Sequence, residues 1–180
     1  MTEKKPTPTL PALEDVLAYE LPALTYRFRK DWDVSVEEAE ELFRETKKYL
    51  WLMSAHYHDR KAGHTPPRFQ FTSGTYMIDV FWHQFMLFTP QYHKFTHGFF
   101  GYFMGHMPLG EDIDNEIEAE RAADPEAFQA QLEAELKAQS AYVIEKLGPE
   151  TEEKWYRTFR TQYNAERLNK IRQPIVLKDY

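Results

Sequence analysis

The stretch Met77–Pro108, MIDVFWHQFMLFTPQYHKFTHGFFGYFMGHMP, limits the fold more than any other part of the chain. It holds four of the seven histidines and ten aromatic residues. Its first half is apolar at helical spacing and carries no strand-like alternation. Thr89-Pro90 then supplies an N-cap and a proline suited to a first helical position. These signals predict two helices, from near Ser73 to Phe88 and from Pro90 to about His106, joined by a tight corner or hairpin. Gly98, Gly101 and Gly105 lie three and four apart on the second of them. Each costs about 1 kcal/mol relative to alanine, so the spacing predicts close approach of another backbone there.

Around this pair the chain reads as helical throughout. Ser35-Val-Glu-Glu38 is a capping box. It opens an amphipathic helix to about His56, with Ala39, Leu42, Phe43, Tyr49, Leu50 and Met53 on one face. Residues 58–74, with two prolines and two glycines, read as a loop. The acidic segment from Glu111 opens a further helix, which Asp124-Pro125 restarts as cap and first residue and Gly148-Pro149 ends after Leu147. A final helix over about 150–171 has Trp155, Phe159, Tyr163 and Leu168 as its stripe. Leu13–Tyr19 reads as a short helix, and 23–32 shows no clean period. No strand pattern or internal repeat is present. The expected fold is all-α: a single compact domain of about six helices over 12–173, with a flexible leader at 1–11 and a tail at 174–180.

Bulk properties narrow the function. The chain has no cysteine, which excludes disulfides, thiolate metal sites and a cysteine nucleophile. A net charge of −7 argues against nucleic-acid binding. The most apolar run, 95–107, is too short to span a bilayer, and no apolar run follows the N-terminal lysines as in a signal peptide. A cytoplasmic protein with no membrane partner is expected. Residues 111–135 hold ten acidic groups against one arginine, and 154–178 hold seven basic groups against one glutamate. Two solvated helix faces lying against each other account for this better than a protein-partner patch.

The chemistry-bearing residues cluster in the central stretch. Asp79 and His83 are four apart and share a helix face. The carboxylate can join the imidazole on a metal or orient its ring. His93 and His97 repeat the spacing on the next helix, and His106 sits at that helix's end. Asp79, His83 and His106 together make two histidines and one carboxylate, the ligand set of non-haem iron sites. Iron or zinc is the divalent metal expected. The same three residues also suit a buried polar network without metal, because no H-E-x-x-H signature is present. His93 and His97 equally suit an exposed helix face. His56, His58 and His64 read as solvated. Tyr76 and Tyr92 suit either a ligand contact or a satisfied core hydroxyl. No nucleophile elbow or phosphate-binding glycine motif occurs. The acidic run from Asp112 lacks the glycine of a calcium loop.

Asp79-x-x-Trp82-His83-x-Phe85, Phe88-Thr89-x-x-Tyr92, Gly101 and His106-x-Pro108 together resemble the glycine-rich-domain-containing-protein-like family. The likeness covers about 35–108 and, loosely, the last helix. Thr96 stands where relatives carry a cysteine, and the glycine-rich segment of the plant relatives is absent. The resemblance implies a site around Asp79, His83 and His106, with Trp82 and Tyr92 as ligand-contacting residues; His93 and His97 fall outside the motif. Three functions follow as expectations. One is a small helical metalloprotein, with a non-haem metalloenzyme as its catalytic form. Another is a structural or interaction module. The third is an accessory protein that presents a peptide or small molecule in an aromatic groove.

Overall fold

A computed structural model describes residues 9–107 and 110–174. Among these the secondary structure is helical, as the periodicity predicts, but in nine helices rather than about six. They are α1 Leu13–Leu17, α2 Pro22–Asp31, α3 Val36–Lys61, α4 Tyr76–Leu87, α5 Thr89–Phe100, α6 Glu111–Ala123, α7 Pro125–Leu147, α8 over 149–162, and α9 Ala165–Ile171. Three elements account for the difference: α2, which Pro22 opens and whose Leu24, Thr25 and Phe28 are buried at helical spacing; the separation of α6 from α7 at Asp124; and α9, set off by a break at Asn164. Asn164 caps α9 by accepting from the Arg167 N–H at 3.0 Å. Residues 1–8, 108–109 and 175–180, including Pro108 and most of the expected leader and tail, lie outside the described residues. No described helix is long and apolar enough to cross a membrane.

α3 is the axis. It runs 26 residues and packs against α1, α2, α4 and α7. Ser35 Oγ accepts from the Glu38 N–H at 3.1 Å, so half of the capping box forms. Glu38 does not reach back. Its carboxylate accepts instead from Tyr163 Oη at 2.9 Å and Arg167 at 2.7 Å, tying the C-terminal helices to α3. The helix also continues past His56. His56 and His58 therefore sit on its last turns, and His56 Nε2 meets the Pro67 carbonyl at 2.9 Å.

The basic C-terminal segment meets α3, not the acidic helices. Lys154 pairs with Glu41 at 2.7 Å, and Arg167 with Glu38 at 2.7 Å. No described ion pair links 154–174 to 111–135. The expected face-to-face arrangement is thus replaced by complementarity with the glutamates of α3. Glu45, fully buried on α3, accepts from the Trp155 indole at 2.8 Å and from Lys48 at 2.9 Å. Trp155 lies in a π-helical turn, Lys154–Thr158, within α8. Gly74 packs so closely on the Trp155 carbonyl that no Cβ fits there. The close backbone approach in this fold is therefore at Gly74.

The α4–α5 corner forms as expected, with Phe88 alone between the helices. Thr89 does not cap α5; its hydroxyl donates to the Met86 carbonyl at 3.1 Å, back across the corner. Gly98 has open space around it, Gly101 ends α5 at φ 79°, and Gly105 lies beyond the helix. A positive φ is the conformation that glycine adopts at least cost. Ending α5 at Phe100 lets residues 101–107 turn back over α4, and that return carries His106 to Asp79.

Candidate metal centre

α4 buries Met77, Ile78, Phe81, Trp82 and Phe85 against the core. Asp79 and His83 fall on the flank of that face, where the helix meets solvent. The side chain of Asp79 is 20% exposed and that of His83 is 51% exposed. His106 arrives from the segment after α5, with its side chain 16% exposed. One ligand atom from each of the three residues lies within 4.8 Å of the other two. His106 Nε2 and Asp79 Oδ1 are 2.8 Å apart. His83 Nδ1 is 2.9 Å from the Asp79 carbonyl and 3.5 Å from Asp79 Oδ2.

These contacts assign the ring protons. A carbonyl and an ionised carboxylate only accept, so His83 donates from Nδ1 and His106 from Nε2. His83 Nε2 then carries a free lone pair on a half-exposed ring. Ligands about 2.1 Å from an ion sit roughly 3–3.5 Å apart, according to geometry. The Asp79–His106 separation, 2.8 Å, is a hydrogen-bond distance that would open by a few tenths of an ångström around an ion, and rotation of the half-exposed His83 ring would bring in the third donor. The donor set of two imidazoles and one carboxylate suits iron(II) or zinc. A metal held by His106 Nε2 would take the place of the proton that this nitrogen donates to Asp79.

His106 is held by aromatic rings. Its imidazole stacks on Trp82 with centroids 4.3 Å apart and planes 15° apart, and Phe71 meets it edge-on at 5.6 Å. The Trp82 indole donates to Tyr92 Oη at 2.8 Å, and Tyr92 Oη donates to the Met104 carbonyl at 2.6 Å. Trp82 is 4% exposed and Tyr92 1%. Both sit behind the cluster, where they position His106 and fasten its strand of chain to α4 and α5. Burial pushes the Tyr92 hydroxyl up to about 12, against a small opposing effect of the Trp82 hydrogen bond. Burial foremost, then Tyr156 and the negative charge of Asp79, raise Tyr49, whose ring packs beside Trp82.

His93 and His97 do not join this cluster. They stand together on the exposed face of α5, with ring centroids 4.1 Å apart. Tyr76 is also exposed, at the start of α4. His64 is exposed, 3.8 Å from Asp59. Phe71 and Met104 belong to the site although sequence reading passed over them. Phe71 lies in an irregular segment with no period to mark it, and Met104 contributes only a backbone oxygen.

The geometry defines an all-helical protein carrying a convergent two-histidine, one-carboxylate cluster on an aromatic support. No family model, curated protein or solved structure matches the chain.

Proposed function

We propose that the protein binds a divalent metal, iron(II) or zinc, through Asp79, His83 and His106, and uses it in a non-haem metalloenzyme site. The observation that carries this reading is the convergence of three ligand atoms from two separate elements within 4.8 Å. The resemblance of Asp79-x-x-Trp82-His83 and His106-x-Pro108 to the glycine-rich-domain-containing-protein-like family points to the same residues. Three protein ligands leave coordination positions open, and the metal supplies Lewis acidity or, as iron, oxygen chemistry at those positions. This chain's part is to hold the ligands. Trp82 and Phe71 fix the His106 ring, the Asp79 carbonyl fixes the His83 tautomer, and the apolar side chains behind them keep water from one side. The exposed flank at His83 is the side open to a small-molecule or peptide ligand.

A second reading also has a specific observation behind it. Asp79 and His106 already complete a 2.8 Å hydrogen bond without any ion, as a polar clamp on the corner would. His83→Ala separates the two. His83 is half-exposed and bonds only to its own helix, so its loss leaves the clamp in place. The test is inductively coupled plasma mass spectrometry and zinc calorimetry on untagged protein. The metal-site reading expects one equivalent to be lost in His83→Ala with the helical circular dichroism unchanged. Binding in His83→Ala equal to wild type overturns it in favour of the clamp.

A further inference from the structure

We propose that His93 and His97 form a second, independent metal site on the outer face of α5, taking a single imidazole-preferring ion such as Zn²⁺ or Cu²⁺. The four-residue spacing puts the two rings one above the other on adjacent turns. The ring centroids are 4.1 Å apart and the planes differ by 31°. Both residues are exposed, and neither imidazole is engaged in a hydrogen bond or ion pair with a described residue. The nearest aromatic neighbour of the pair, Phe103, meets His93 at 6.3 Å and leaves the outward side uncovered.

Several features make the pair a chelate and not simply two surface histidines. Histidines four apart on one helix can offer a nitrogen each to one ion, as the two histidines of helical zinc motifs do. Imidazole suits copper, nickel and zinc, with copper held tightest among them. His97 lies in the last turn of α5, where the carbonyl end of the helix favours positive charge. Gly98 adds no side chain beside the pair, and the space at its missing Cβ is open. Aspartate and glutamate are absent from α5, so the ion is held by two neutral donors, with water completing the coordination. That ligand set differs from the carboxylate-containing cluster at Asp79, and the two sites share no residue.

Zinc calorimetry on the full chain tests this, with copper electron paramagnetic resonance as a second readout of nitrogen coordination. The variants are His93→Ala, His97→Ala, His83→Ala and the double variant His83→Ala/His93→Ala. All three histidines are exposed, and unchanged circular dichroism checks that each variant folds. The expected result is that His93→Ala and His97→Ala each lose the same one equivalent of zinc and the same copper signal. The double variant then loses the equivalent at His83 as well. Zinc and copper binding in both α5 variants indistinguishable from wild type overturns the proposal. The outcomes separate from the first site: loss in His93→Ala with none in His83→Ala leaves the α5 pair standing and removes the Asp79 site.

Discussion

Tyr92→Phe tests the arrangement that holds His106 in place. The Tyr92 hydroxyl accepts from the Trp82 indole at 2.8 Å and donates to the Met104 carbonyl at 2.6 Å. All three residues are buried. Removing one oxygen therefore orphans two polar groups and changes the packed volume hardly at all. Each unsatisfied buried group costs about 1–3 kcal/mol, so the variant should lose roughly 2–4 kcal/mol after partial relaxation. For a chain of this size 1 kcal/mol moves Tm by about 2–4 °C, which puts the expected fall at roughly 5–15 °C. Circular-dichroism melting and urea titration measure it. Tyr76→Phe is the control, because that ring is exposed and its hydroxyl makes no hydrogen bond with a described residue. Since Met104 is two residues before His106, the variant should also bind zinc more weakly at the Asp79 cluster. A Tyr92→Phe melt within 2 °C of wild type, on the order of 0.5 kcal/mol, would refute the idea that this hydroxyl anchors the 101–107 segment.

Two other perturbations follow from the packing. Gly74→Ala places a Cβ against the Trp155 carbonyl, a backbone atom that cannot swing aside; it should cost about 1–3 kcal/mol as overpacking does and shift Trp155 fluorescence, and an unchanged urea midpoint would show that 72–75 moves freely. Raised hydroxyl pKa values make the fold sensitive to alkali: Tyr92, up to about 12, and the buried Tyr49 and Tyr163 keep their protons in the folded state after the unfolded chain has lost them. Stability should be level in this respect below about pH 10, the unfolded value. Above it, stability falls by roughly 1.4 kcal/mol per pH unit for each such tyrosine until the folded pKa is passed. Complete ionisation of the eleven tyrosines should then require loss of ellipticity; full tyrosinate absorbance with the helices intact counts against the burial of these hydroxyls.

The helices were legible wherever a local signal fixed them. Ser35, Asp124 and Gly148 each act at the boundary read for them. α2 was missed although Pro22 opens it and Leu24, Thr25 and Phe28 stand at helical spacing, because its ten residues show only two turns of that stripe and charged residues fill its second half. The second arm of the capping box failed for a different reason: Glu38 finds Tyr163 and Arg167, more than a hundred residues away, and a tertiary partner outweighs a local one. Lys154 and Glu41 repeat the lesson, since charge runs reveal sign but not which opposite run they meet.

The candidate site divides along the same line. Asp79 and His83 were readable as a pair because one helix fixes their separation, and so were His93 and His97. What spacing cannot give is which pair His106 joins, since that depends on where α5 stops. Had the helix continued through Gly101 and Gly105, His106 would have stood about two and a half turns beyond His97, on the opposite face of α5 and away from Asp79. The left-handed turn at Gly101 ends the helix instead and sends the chain back toward α4. Tyr92 then fastens Met104, and Trp82 receives the His106 ring. Assembly of the Asp79 cluster is therefore decided by a residue that donates no ligand. The α5 pair depends on no such return: it is set by the helix alone, and for that reason the two sites should respond separately to any change that loosens 101–107.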